Sequence, residues 1–181
     1  MARRTVEYAC AVLVMGLLAG VAGAATTLVL HAIEHLTYHY SFGTLLTGVG
    51  DSSPVRRAVG PMLGGALAGF GWSLLRRRGD VPGLSATIAE HRPIPRLQMS
   101  IDAGLQVLLV GSGASLGREG APRQLAAAFG DLGTSRLSLT ARDREILLAC
   151  AAGAGLGAVY SVPLGGALFA ARILLGTWHP R

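Results

Sequence analysis

The chain has 181 residues, of which 51% are hydrophobic and only 14% charged, where soluble domains carry about 25% charged residues; with a positive mean hydropathy this argues against an ordinary soluble domain and for a membrane protein. The net charge of +6 comes entirely from arginine, and no lysine occurs. Those arginines stand at the edges of apolar runs rather than on one face among aromatics, so no nucleic-acid partner is expected.

Residues 8–30 form an uncharged run that can cross a hydrocarbon core of about 30 Å, which takes about 20 helical residues. Arg3 and Arg4 before it and Ala22-Gly23-Ala24 within it resemble a secretory signal and its cleavage site. The run is longer than a signal's apolar core and further runs follow, so it is read as an uncleaved first span. Cys10 here and Cys150 later lie in apolar runs without metal or redox spacing and are expected to be buried, inert thiols. Gly16, Gly20 and Gly23 give the run a small-residue face for close helix packing.

Residues 31–57 read as a polar loop with a turn at Gly50-Asp51-Ser52-Ser53-Pro54. His31, Glu34 and His35 have the order of the inverted zinc peptidases, and on a helix they share a face with His39. Such a site needs a third ligand and a shaped cleft, so no metal is expected and these side chains are read as solvated at a membrane interface.

A second run, 58–75, is rich in glycine and stops at Arg76-Arg77-Arg78. With Arg3 and Arg4, the triplet places the N-terminus and the end of this run in the cytoplasm, although Arg56 and Arg57 stand on the other side. Residues 79–100, with Pro82, Pro93 and Pro95, read as a cytoplasmic connection containing a short helix over 84–90. The run 103–117 lies between Asp102 and Arg118, and 122–130 is shorter still. Thr140 and Asp143 suit a helix cap and its first-turn acid. The uncharged stretch 146–171 is interrupted by Pro163, Gly165 and Gly166, the mark of two segments meeting at depth. Spans are therefore expected at about 8–30, 58–75, 103–117, 122–130, 143–160 and 163–176. The fold class is an all-α, multi-span integral membrane protein of the cell membrane, with broken and re-entrant helices.

Residues 111–124, Gly-Ser-Gly-Ala-Ser-Leu-Gly-Arg-Glu-Gly-Ala-Pro-Arg-Gln, place charges where their flanks suggest a nonpolar setting. One reading is a dinucleotide cradle, with a strand at 105–110 feeding Gly111, Gly113 and Gly117 and with Asp131 at the distance of a ribose-binding acid. Against it, the third glycine is one position late and Glu119 stands where a pyrophosphate would. The other reading starts from cost: a charge at membrane depth is unfavourable by at least about 2.5–3.5 kcal/mol, so Glu119 should line a cavity or an ion route. Pro122 suits the first turn of a helix whose amides near Glu119, Gly120 and Ala121 favour an anion. A tethered carboxylate can hold that place until it leaves or takes a proton, which makes it a gate. A plain interfacial ion pair of Arg118 with Glu119 stays open beside this.

These residues resemble the Gly-Arg-Glu-Gly signature of the CLC chloride channel and chloride/proton antiporter family, and residues 151–169, with Ser161, Pro163 and Leu164, are similar to its later block. The resemblance covers nearly all of this chain but only about the N-terminal half of the family's membrane domain. It implies one half of an inverted-repeat fold and passive chloride transport gated by Glu119. The anion would be held by Gly117, Arg118, Glu119, Gly120 and Ala121, with Gly79 at the family's serine position. Asp80 follows that position, Ala121 stands where the family has proline, and Arg172 and Ile173 stand where it has glutamates, so proton exchange by that route is not expected. No enzyme activity and no cofactor are expected, chloride being cargo. The implied partners are the lipid bilayer and either further copies of the chain or a complementary second half. The alternative is a non-conducting remnant or subunit.

Overall fold

The structure is a computed structural model, and it describes residues 2–39, 44–135, 137 and 139–176. All regular structure among them is helical. The side chains of Arg3 and Arg4, on which part of the orientation argument rests, lie outside the described residues.

Helix α1 (Ala2–Tyr38) has 37 residues, roughly 55 Å at about 1.5 Å per residue. It runs on through residues 31–38, the first part of the segment expected to be a loop. The hydroxyls of Thr26, Thr27 and Thr37 donate to carbonyls one turn back, so these polar side chains need no water. Glu34 and Tyr38 are buried rather than solvated, and the Tyr38 hydroxyl donates to the Ser112 carbonyl at 2.9 Å. The helix stops where His39 turns left-handed, at φ 54°.

A short helix α2 (Leu45–Asp51), capped by Thr44, leads to α3 (Pro54–Arg76), which Ser53 caps and Pro54 opens. Proline suits that place because the first amide of a helix has no intrahelical partner. Both α1 and α3 are long and apolar enough to cross a membrane, and they expose large apolar side chains such as Leu13, Leu17, Leu28, Met62 and Phe70. Cys10 and Cys150 are exposed as well, contrary to the buried thiols expected; on a chain of this composition an outward apolar face is where such residues belong.

Helix α4 (Leu84–Ala89) matches the short helix expected in the connection. Helix α5 (Arg96–Gly111) begins well before the apolar run and ends within it, so residues 114–117 are not helical. Residues 105–110 are therefore helix and not strand, which overturns the dinucleotide reading, since its cradle requires a strand feeding the glycines. Helix α6 (Gly120–Thr134) follows, then α7 (Ala141–Tyr160), which starts on a capping box between Thr140 and Asp143. Ser161 is left-handed at φ 55°, and the chain reverses into α8 (Pro163–Phe169), extended by a π-helical turn at Ala170–Leu174.

Helix α6 is the centre of the packing, pressed between α1 and α7 with α5 alongside. Small residues set these distances. A Cβ on Gly155 of α7 would stand 2.5 Å from the Pro122 carbonyl oxygen of α6, and the facing backbones of Gly153 and Gly166 leave no room for a Cβ on either. At the far end of α6, buried Asp131 accepts from Arg96 Nε at 2.7 Å and from Arg144 Nε at 3.1 Å. One carboxylate thus ties the starts of α5 and α7 to the end of α6.

Candidate functional site

The ends of α1, α5 and α7 and the starts of α3 and α6 gather at the opposite end of the bundle from Asp131. Gly111 lies against Ile33 and the Leu30 carbonyl, and Gly64 lies against Ser112. Gly113 has φ 102°, a left-handed conformation that glycine adopts freely, and the Tyr38 hydroxyl occupies the place of its missing side chain. This turn carries the chain from α5 into the non-helical segment 114–117 and then to Glu119.

Glu119 is the N-cap of α6, yet its side chain does not cap the helix. The carboxylate folds back over Gly117 instead, so close that a Cβ there would stand 2.5 Å from Oε1 and 2.6 Å from Oε2. The Tyr160 hydroxyl donates to Oε2 at 3.4 Å, and Arg123 Nε donates to the Glu119 backbone carbonyl at 2.8 Å. The first turn of α6 is left without a side-chain cap, at the positive end of the helix dipole.

Arg118 does not pair with Glu119 among the ion pairs of the described residues. Its guanidinium lies 5.6 Å from the centroid of the Tyr160 ring, and Arg123 stands likewise 5.2 Å from that of Phe169. Gly117, Arg118, Glu119 and Tyr160 line one wall of an open groove of about 600 Å³, whose other wall carries His31 and Glu34 of α1. The structure thus brings Gly117, Arg118, Glu119 and Gly120 together. Ala121 is adjacent, but its methyl is buried against Leu30, Ala103 and Val107. Gly79, with φ 122°, follows α3 at the Asp131 end, exposed and with nothing near its α-carbon that a Cβ would meet.

The sequence reading missed a polar cluster beneath the motif. Asp102, which bounds an apolar run in the sequence, accepts from Trp72 Nε1 at 2.7 Å, Gln106 Nε2 at 2.7 Å and Gln124 Nε2 at 3.0 Å. The available signal was the one-turn spacing of Asp102 and Gln106, which puts both on one helix face.

A family model described as voltage gated chloride channel matches residues 64–181. The chain is 31% identical over 175 residues to the voltage-gated ClC-type chloride channel ClcB of Yersinia pseudotuberculosis, covering 91% of this chain and 42% of that protein. It is 31% identical over 169 residues to the protein of the same name in Escherichia coli, covering 91% and 40%. The chain therefore spans about two fifths of the length of these relatives.

Proposed function

The chain belongs to the voltage gated chloride channel family, and on that premise we propose that it forms one half of a passive chloride pathway in the cell membrane, with Glu119 as its gate. The observation that carries this reading is the seat of the Glu119 carboxylate over Gly117, beside the uncapped first turn of α6. The helix dipole and first-turn amides favour an anion there, and the tethered carboxylate holds the place an entering chloride needs. Gly117, Gly120 and Ala121 contribute backbone, Arg118 adds positive charge at the groove, and Gly79 lies at the other mouth. The N-terminus is cytoplasmic in this reading.

A pathway of this kind needs walls on all sides, which a second copy or a complementary half supplies. Chloride flux from liposomes, wild type against Glu119→Ala, tests the proposal: an altered flux in the variant supports it, and absence of flux from both folded proteins overturns it. The second reading is a non-conducting subunit whose motif serves structure only. It predicts that second outcome.

A further inference from the structure

The arginine pattern that orients the chain has one exception, Arg56 and Arg57, which stand at the opposite end of α3 from Arg76, Arg77 and Arg78. The fold accounts for Arg57: its Nε donates to the Ser52 carbonyl at 3.0 Å and its Nη2 to the Gly50 carbonyl at 2.9 Å, which ties α2 to α3. Arg56 has no such task. Its backbone amide is bound to Ser53 Oγ, but its side chain is exposed and enters no ion pair among the described residues. In the first turn of α3 its charge gains nothing from the helix dipole either, whose positive end is there.

Arg56 is the one charged residue lining a groove of about 420 Å³ between α1, α3 and α5, whose walls are otherwise built from side chains such as Leu36, Val59, Leu63 and Leu67. The hydroxyls of Thr37 and Ser112 also line it, but they donate to carbonyls four residues back at 2.8 Å and 2.6 Å, so neither asks for a partner there. From Arg56 to Leu67 the groove follows α3 for roughly 16 Å at about 1.5 Å per residue, close to one leaflet of a hydrocarbon core about 30 Å thick. Both α1 and α3 have the length and composition of membrane spans. Where helices of this protein press on one another, small residues bring the backbones together, as at Gly153 with Gly166 and Gly155 with Pro122. The rim here is instead made of exposed leucines. Such a wall suits a flexible chain better than a helix.

We propose that this groove binds one anionic phospholipid of the leaflet at the Glu119 end, with the phosphodiester on the Arg56 guanidinium and an acyl chain along Leu63 and Leu67. The planar guanidinium offers paired N–H donors to the two free phosphate oxygens, and the chain covers the apolar wall below it. A headgroup of net negative charge, as in phosphatidylglycerol, is favoured over phosphatidylcholine, whose own ammonium offsets its phosphate. The preference should be about fivefold in occupancy, the scale of one basic residue at an anionic membrane surface. Arg56 then stands against the charge rule because it holds a lipid. The site is read from binding alone and does not rest on the passage of chloride.

Native mass spectrometry tests this on the full chain, purified in detergent and mixed with equal amounts of palmitoyl-oleoyl phosphatidylglycerol and palmitoyl-oleoyl phosphatidylcholine, so that only the headgroups differ. The chain should carry one phosphatidylglycerol about five times as often as one phosphatidylcholine. Arg56→Gln should abolish that preference, and Arg76→Gln, at the other end of α3, should keep it. Equal occupancy by the two lipids, or a preference that survives Arg56→Gln, overturns the proposal. So does a preference that Arg76→Gln removes as completely, which would make it a general attraction to basic surface. Val59→Trp places a large ring in the groove and should displace either lipid; wild-type occupancy in that variant overturns the groove, and it decides alone should Arg56→Gln fail to fold. Glycerol 3-phosphate at the lipid's concentration should leave the bound lipid in place. If it removes the lipid, the site takes a free phosphate and needs no acyl chain, and the proposal fails. A mass of two chains without lipid would give the groove to a second copy and overturn it equally.

Discussion

The Tyr160 hydroxyl donates to Glu119 Oε2 at 3.4 Å, so the last residue of α7 touches the carboxylate at the start of α6. Its length weakens this hydrogen bond to a carboxylate, which is worth about 1 kcal/mol net. Tyr160→Phe should therefore loosen Glu119 and raise chloride flux about two- to fivefold in liposomes, by the same arithmetic. An unchanged flux would mean that Tyr160 serves the Arg118 stack and not the gate.

Gly117→Ala separates the proposed gate from the fold. The atoms nearest the new methyl are the far end of the Glu119 side chain, which can swing away without moving backbone. Thermal stability in detergent should change by less than about 0.5 kcal/mol, as for surface substitutions, while flux rises toward that of Glu119→Ala. A flux that stays at the wild-type level would remove Gly117 from the carboxylate's seat.

Gly166→Ala is the opposite case. Its methyl meets the backbone carbonyl of Gly153, which cannot yield without separating α7 from α8. Overpacking of this kind costs about 1–3 kcal/mol, and an unfolding titration in detergent should show it. Gly69→Ala, whose methyl meets nothing within 4 Å, is the control and should leave the midpoint in place.

Asp131→Ala removes the acceptor shared by Arg96 and Arg144. Both arginines are more than a third exposed and can turn to water, so the loss should be about 2 kcal/mol, short of the cost of an orphaned buried charge. Arg96→Ala should cost less, since Arg144 still holds the carboxylate. A larger loss from Arg96→Ala than from Asp131→Ala would contradict this division.

Much of the helical order was legible from apolar runs and their glycine and proline punctuation. The pieces that punctuation marks came out well: the 84–90 helix, the Thr140 cap and the break at Pro163. What polar residues mark came out poorly. His31, Glu34 and His35 suggested a loop, yet α1 continues to Tyr38 because Glu34 turns into the protein. A polar residue ends a helix only if its side chain must reach water, and tertiary packing decides that. Residues 103–117 looked like one apolar segment, but the turn at Gly113 depends on Tyr38, far away in sequence. The gathering of Gly117, Glu119 and Gly120 was visible in their adjacency. The Asp102 cluster was not, because Trp72 and Gln124 approach it from other helices.

The pinning of α6 has a mechanical consequence. Asp131 anchors one end to two neighbouring helices, and the close approach of Gly155 to Pro122 locks the other end sideways. A strut held at both ends cannot slide or tilt much, which leaves the torsions of one exposed glutamate as the part free to move. A gate built so would open by rotamer exchange on the nanosecond scale rather than by helix motion over microseconds. It would sweep almost no cross-sectional area, and stretching the bilayer should leave its open fraction unchanged.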